Sequence, residues 1–527
     1  MTSSKPWLFG ALASGLVACG GTDDAAGGGA GGVASGGAAG SGSVSSGGTA
    51  GVSGGSGGIG GSSGSSGSGS AGGQAGAPTN CATTPTPVPG SSGKSLIVAS
   101  DGDDAAGDGS LQKPFRSLKK ACGLAAPGDA IELRGGTWST ALETCGAKGS
   151  ADHPVHIRPH AGEQVVFDAA GKTLSSSQHV IQLSGASWVV LDGIEVKNSE
   201  GRGVGYYDSS GVTLRNLKIH DVKFRALGGG GDDIVMENNE IWNASLTNEN
   251  NSAGGSGWPG VIQTYMKPDD TPSKNVVIRN NYVHDAWGEC VIALFADGVV
   301  IEGNRLRDCY SVSLYVDNSK NVSILRNQIW TTTSQYDKNG GHASGITFAS
   351  ENYAGSEPKQ AVENLLVANN VITDTGMGIS RWQDPANTAT HNTWKDVKIL
   401  HNVIRGATKV SLYVESVGSA PAPMGGQIAN NVIWKGTQGA LSLEDPSAWQ
   451  VGPNAWPDGK PALDANAASF AGDPGMTAPT SAADPEGFEL GPSSACKGKG
   501  VAAPPVSVDF WCAPRSATAP SLGIHEP

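Results

Sequence analysis

Charge is scarce in this chain: 16% of its 527 residues are Asp, Glu, Lys or Arg, and the formal net charge is −13. An acidic sequence without clusters of Lys and Arg lacks the footprint of a nucleic-acid partner and of a patch for anionic lipid. Nucleic acid is therefore not expected as a ligand. Past the first twenty or so residues, no segment offers the ~18 consecutive apolar residues that a membrane-spanning helix requires. There is no Cys-x-x-Cys and no spaced Cys/His set, so a structural zinc is not expected either.

What is present begins with Lys5 and the apolar run Trp7-Leu8-Phe9-Gly10-Ala11-Leu12, ending at Leu16-Val17-Ala18-Cys19. This reads as a signal peptide over 1–19. A small residue followed by Cys19 resembles the bacterial lipobox, which implies lipidation at Cys19, export, and a membrane contact through the lipid anchor alone. From 20 to 93 the composition collapses to Gly, Ser and Ala, too poor in apolar surface to fold, and a flexible tether is expected. Seven cysteines follow Cys19: Cys81, Cys122, Cys145, Cys290, Cys309, Cys496 and Cys512. In an exported chain these can oxidise. Cys122–Cys145 and Cys496–Cys512 are the expected pairs, with Cys290 and Cys309 either a third bridge or buried thiols and Cys81 unassigned.

The strongest signal is an internal repeat. Val276-Val277-Ile278-Arg279-Asn280-Asn281-Tyr282-Val283 recurs as Val299–Leu306 and Val322–Ile329. Asn239, Asn370, Asn402 and Asn431 continue the column of Asn281, Asn304 and Asn327, while Ile194 and Leu217 stand there in two earlier turns. The template is apolar-x-apolar-x-x-Asn-x-apolar. Its alternation and its Ile/Val content belong to strands. An asparagine inside a core must be hydrogen-bonded, and stacked coils allow each amide to bond the next. Leucine-rich repeats carry a similar string, but here the apolar positions are β-branched, the spacing is irregular and no helical period intervenes. Spacings of 23 fit one coil of three short strands, and spacings of 42 or 43 fit a coil with an inserted loop. The expectation is an all-β chain: a right-handed parallel β-helix over 94–446, with a short N-terminal capping helix and an irregular C-terminal coil and cap over 447–527.

Both ends carry a family resemblance. Asp101-Gly102-Asp103-Asp104, Gly109–Leu118 and Ala126–Leu133 resemble the opening module of the pectate-lyase-like superfamily, where an amphipathic helix plugs the first coil. Leu118, Cys122 and Ala125 would form its apolar stripe. Phe488–Ala495 and Pro520–Glu526 resemble the closing segment of the same group. Solenoids need such caps because their end coils would otherwise expose core.

The resemblance implies that the strands following the loop-bearing turns line a substrate groove, placed at about 261–267, 291–296, 312–317, 345–350, 378–383, 411–415 and 440–444. Period-two alternation then orients their side chains. With Ile292, Leu294, Leu314, Val316, Ile346, Phe348, Leu412, Val414, Leu441 and Leu443 inward, the outward set includes Thr347, Ser380 and Ser442 together with the aromatic and charged candidates. Tyr265, Phe295, Tyr315, Trp382 and Tyr413 are the expected glycan platform, since sugar C–H faces stack on aromatics. Glu415 and Glu444, on successive coils, are expected ~4.8 Å apart along the stack, near the spacing of a retaining glycosidase pair. Asp317 joins them as a catalytic candidate. Lys267 is a candidate base for proton abstraction beside a uronate, with Asp269 and Asp270 as calcium ligands. His220, His284, Glu289 and His342 cluster at the turns. His220 and His284 share a column with Trp242, Arg307 and Trp330, which reads as an exterior structural stack.

Gly-His-Gly, Arg-x-Lys, Trp-Ile-Asp-His and Asp-Pro-His-Asp are all absent, so the known members of the superfamily that carry those strings are not matched. The expected function is a monomeric, surface-tethered carbohydrate-active protein cleaving an extended polysaccharide, as lyase or glycosidase. The alternatives are a non-catalytic surface lipoprotein that binds glycan or a partner, and a structural stalk.

Overall fold

A computed structural model describes residues 87–252, 259–353, 355, 357–384, 390–418 and 420–527. Cys19, Cys81 and residues 20–86 of the expected tether lie outside the described residues, whereas its last residues, 87–93, are described and bonded to the first coils, the Gly93 N–H donating to Gly128 O at 2.9 Å. Short strands repeat three to a coil and sort into three parallel sheets, with 13 strands in the first, 13 in the second and 11 in the third. Sheet A begins at Ser95–Val98 and ends at Trp449–Val451; sheet B runs from Gly136–Ser139 to Phe470–Ala471; sheet C runs from Glu143–Cys145 to Gly439–Leu443. This is the expected right-handed parallel β-helix. One further coil, through Ala455–Trp456 and Phe470–Ala471, falls in the segment expected to hold the terminal coil and cap.

The bend between sheets A and B follows from two adjacent residues. The first is left-handed: Asn216, Asn238, Asn280, Asn369 and Asn430 have φ between 54° and 61°, and Gly303 has 63°. Asn and Gly adopt that region at little cost. The second is the ladder asparagine, buried and bonded to its neighbours. Asn239 Nδ2 donates to Asn281 Oδ1 at 2.9 Å, and the pattern passes through Asn304, Asn327, Asn370, Asn402 and Asn431. It ends on Asn454, a rung that the sequence reading missed, which accepts from Asn431 at 3.0 Å. At the upper end Asn239 Oδ1 accepts the backbone N–H of Leu217. The ladder thus starts where the sequence switches from Leu to Asn.

A helix, Leu118–Cys122, closes the first coil with Leu118, Ala121 and Cys122 buried and Ser117 capping its N-terminus. Cys122–Cys145 ties it to sheet C. Cys290–Cys309 is a second bridge. The Cys496–Cys512 pairing is overturned. Cys496 is a free thiol sunk among Phe488, Leu490, Leu522 and Ile524, where burial pushes its pKa up to about 12. Cys512 is disulfide-bonded, but not to Cys496. The C-terminal segment packs along sheet B over Val371, Val403 and Val432, and Arg515 pins it by donating to Asn369 Oδ1 at 2.7 Å.

Candidate functional site

All seven strands expected to line a groove fall in sheet C. Their outward positions form rows across successive coils. One row runs Gln263, Ile292, Tyr315, Thr347, Ser380, Tyr413, Ser442. Asp317 lies two residues beyond Tyr315, opposite Leu294 on one side and Ala349 on the other.

The register corrects one strand. In Glu289–Leu294, Ile292 pairs with Tyr315 and Leu294 with Asp317, so both face outward; Val291 and Ala293 face the core. Ile292 and Leu294 join Phe295, Tyr315, Ala349 and Tyr353 in an apolar cluster separate from the solenoid core. The aromatic platform is corrected with it. Phe295 is 0% exposed, set edge-on between Tyr265 at 5.5 Å and Tyr353 at 4.9 Å. Tyr315 is buried as well. Tyr265, Trp382 and Tyr413 remain partly exposed.

This cluster surrounds three carboxyls. Asp317 is wholly buried and saturated with donors: Asn318 Nδ2 and the Glu351 N–H at 2.9 Å each on Oδ1, and Tyr353 OH at 2.6 Å on Oδ2. Glu351, 8% exposed, accepts Tyr315 OH at 2.5 Å. Glu289, 6% exposed, opens the strand that carries Ile292. Burial raises all three pKa values: Asp317 to about 6, Glu289 to about 8, and Glu351 well above the usual carboxylate range. Mutual repulsion adds to burial, since Asp317 acts on both glutamates and Glu289 on Glu351. Burial, and then the same charges, push the Tyr315 hydroxyl well above its ordinary value.

Of these three, the sequence singled out Asp317 alone for catalysis. Glu289 was grouped with the histidines at the turns, whereas the register puts it at the edge of the sheet C face, in the same column as Val312 and Ser344. Glu351 lies in the loop after Ser344–Ala349, where no local pattern marks it.

The other candidates fall elsewhere. Glu415 and Glu444 do stand on adjacent coils, but each is tied to backbone: Glu415 accepts the Gln383 N–H at 2.5 Å, and Glu444 accepts the Ser416 N–H at 3.0 Å and Tyr413 OH at 2.8 Å. Burial, then Glu444, raise the pKa of Glu415. Lys267 is ion-paired with Asp232 at 2.8 Å, which makes it a poor base. Asp269 binds its own turn through the N–H and hydroxyl of Thr271, which lower its pKa, and Asp270 is the left-handed residue of that turn. Among the described residues no group of three or more His, Cys, Asp or Glu is gathered to hold a metal. His220 stacks on Trp242 at 4.2 Å and Trp242 on His284 at 6.0 Å, the exterior stack expected. His342 is bonded to Asp337 at 2.6 Å.

Two family signatures cover overlapping stretches: "Pel9A-like, right handed beta helix region" over residues 96–258 and "Right handed beta helix region" over 246–433. The chain is a pectate-lyase-like right-handed β-helix protein. This β-helix protein is similar over its fold to XylC, solved in complex with xylose, at a TM-score of 0.56 and 12% identity, covering 82% of this chain and 98% of that one. The pectate lyase Pel9A aligns at a TM-score of 0.42 and 15% identity, over 83% and 97%. The uncharacterized protein YwoF of Bacillus subtilis (strain 168) is 27% identical over 149 residues, 26% of this chain. The chain covers 30% of the length of that relative.

Proposed function

We propose that this protein is a carbohydrate-active enzyme that hydrolyses glycosidic bonds in an extended glycan laid along the outward face of sheet C. The observation that carries the reading is the coupled set Glu289, Asp317 and Glu351, three carboxyls on one face whose proton affinities are raised by burial and by one another. Glycosidic hydrolysis requires one carboxyl that holds a proton at working pH and another that has lost it. A coupled set gives up its protons in steps belonging to the group as a whole, so near neutrality it presents both forms at once.

Roles follow from access. Asp317 is fully covered and accepts from three donors, so it is a positioning residue: it fixes Glu351 through the backbone N–H and adds repulsion to the burial that keeps that side chain protonated. Glu351 and Glu289 retain some exposure and are the groups that would meet the glycan, Glu351 donating to the leaving oxygen and Glu289 serving as the second carboxyl once pH has risen past its pKa of about 8. A lyase needs instead a free base and a cation to neutralise a uronate carboxylate. Lys267 is occupied by Asp232, which favours hydrolysis over elimination. That XylC was solved with a sugar is consistent with a glycan on this fold.

The test is a panel of polysaccharides followed by reducing-end release and by absorbance of unsaturated uronates. New reducing ends without unsaturated product, abolished by Glu351→Gln, support hydrolysis. Unsaturated product would replace it with elimination. A second reading, a glycan-binding module without turnover, draws on the full closure of Asp317 and Phe295 and predicts binding with neither product. We also propose that Cys19 is acylated and holds the protein on a membrane surface. Cys19→Ser should release it to soluble fractions, and persistence on membranes would refute acylation as the anchor.

A further inference from the structure

The corner where the chain turns from sheet C into sheet A repeats one backbone conformation down the solenoid. The residue there is a glycine in three coils (Gly211, Gly298, Gly425) and Asn or Asp in the others (Asp233, Asn275, Asn321, Asn364, Asp396), in register with one another. All of them have φ between 54° and 85°. These residue types reach the left-handed region at little cost. The coil above Gly211 breaks the pattern: it carries Trp188 in this place, at φ 51°.

The stack fixes that conformation whatever side chain it carries. The Trp188 N–H donates to Ser210 O at 2.9 Å, and Trp188 O accepts from the Val155 N–H at 2.9 Å. A bulky residue held there is strained, and such strain marks a place where the side chain is locked by its surroundings or is used. Among the described residues the other large side chains at positive φ are Phe295, Arg326 and His401, and all are buried. Phe295 is set between Tyr265 and Tyr353, Arg326 is ion-paired with Glu302, and His401 accepts from Asn430 Nδ2 at 2.9 Å. Trp188 differs from them: it is 37% exposed. Its ring rests on Gly211, where even a Cβ would come within 2.5 Å of Cδ2, so the glycine below clears a seat for the indole.

Register relates this corner to the carboxyl set. The column of Asp317 and Leu294 continues through Tyr207 to Ser184, five strand spacings of ~4.8 Å, or about 24 Å, toward the N-terminal coils. Glu351 follows that column two residues after Ala349, and Trp188 follows it four residues after Ser184, so both stand on the same corner of the solenoid. We propose that Trp188 is a sugar-stacking platform that holds the C–H face of a pyranose ring, off the sheet C face and far along the axis from the carboxyls. An indole offers a large rigid apolar surface, and the backbone hydrogen bonds to both neighbouring coils set its angle. Stacking on a C–H face needs no charge on the sugar, so the platform takes neutral rings. A chain that reaches it from the carboxyl set spans several sugars. The inference rests on the proposed glycan-cleaving role only for the identity of the ligand as a sugar.

The experiment uses the full chain labelled with fluorotryptophan, whose Trp188 signal is assigned by its loss in Trp188→Asn. Linear hexasaccharides of xylose, glucose, mannose and galacturonate are titrated in turn. A saturable shift of the Trp188 signal with at least one of them is expected. Binding of that sugar should be roughly tenfold weaker in Trp188→Asn, on the scale of a base stacked on an aromatic ring, and retained in Trp188→Tyr. Trp188→Asn should also melt above the parent, because Asn takes the conformation of this corner with less strain. A ring kept only for packing gives the opposite pair of results, a lower melting temperature and unchanged affinity. A Trp188 signal unmoved by all the hexasaccharides, equal affinity in Trp188→Asn, or melting of that variant below the parent overturns the platform. A shift at Trp188 in a protein that cleaves nothing would refute hydrolysis and leave the platform standing; cleavage with the Trp188 signal unmoved would do the reverse.

Discussion

The backbone N–H of Glu351 donates to Asp317 Oδ1 at 2.9 Å, so a loop residue and a strand residue from neighbouring coils are locked into one ionisable unit. Asp317 is the hub of that unit, because its charge raises the proton affinity of Glu289 and Glu351 alike. Asp317→Asn removes the charge and keeps the shape. The alkaline limb of the pH–rate profile should then move to lower pH, since the donor loses its proton earlier. A limb that stays in place, with only the amplitude reduced, would show that Asp317 does not tune the donor.

The same shifts bear on stability. A carboxyl whose folded pKa is raised stabilises the fold fully below its unfolded value and loses that contribution as pH climbs through the folded one. For Glu289 the window runs from the ordinary glutamate value of 4.5 to about 8. Stability should therefore fall between those limits, and Glu289→Gln should flatten the decline. Denaturant midpoints measured across that range decide it, and a variant that declines as steeply as the parent removes Glu289 as a source.

The solenoid was legible because its signal is one-dimensional. A buried amide tolerates no slip, so Asn281, Asn304 and Asn327 recur at the coil length and announce the stack before any contact is known. The carboxyl set was half legible for a related reason. Around Asp317, Leu314 and Val316 alternate with polar neighbours and fix the face. In Glu289–Leu294 the run Val291-Ile292-Ala293-Leu294 is apolar at both parities, so alternation cannot orient it. Only the register to Leu314 and Tyr315 does. The apolar residues that face outward there pack under loops, which is also why Phe295 was mistaken for an exposed platform. Glu351 escaped because a loop has no period at all.

Asn304 tests the ladder. Its Oδ1 accepts from both nitrogens of Asn281, and its Nδ2 donates to Ile278 O and Asn327 Oδ1. Asn304→Leu strands those partners in a dry interior, so thermal or denaturant unfolding should show a loss of about 1–3 kcal/mol. Melting at the parental midpoint would mean the rung contributes nothing net.

Cys290–Cys309 spans 19 residues and joins two coils at the edge of the face that carries Glu289. Replacing both by Ala removes the constraint on the unfolded chain, and chain-entropy arguments give about 3 kcal/mol for a loop of that order. Because Glu289 precedes Cys290 directly, turnover should drop along with stability if the bridge also holds the acid in place. Equal turnover at a temperature where both proteins are folded would confine the bridge to stability.

The aromatic residues divide by exposure, and that division gives the sharpest contrast on the binding face. Trp382 is partly exposed and packs on the rim of the outer cluster, whereas Phe295 is wholly enclosed between Tyr265 and Tyr353. If glycan runs along sheet C, Trp382→Ala should weaken binding by about 1–3 kcal/mol, on the scale of base stacking on aromatic side chains, with little change in melting. Phe295→Ala should do the opposite. Emptying an enclosed site costs about 3–5 kcal/mol of stability, and it disturbs affinity only through the displaced Tyr353 that holds Asp317. Calorimetric titration alongside thermal melts separates the two. Equal affinity for every glycan in the Trp382 variant would place the ligand on another face of the solenoid.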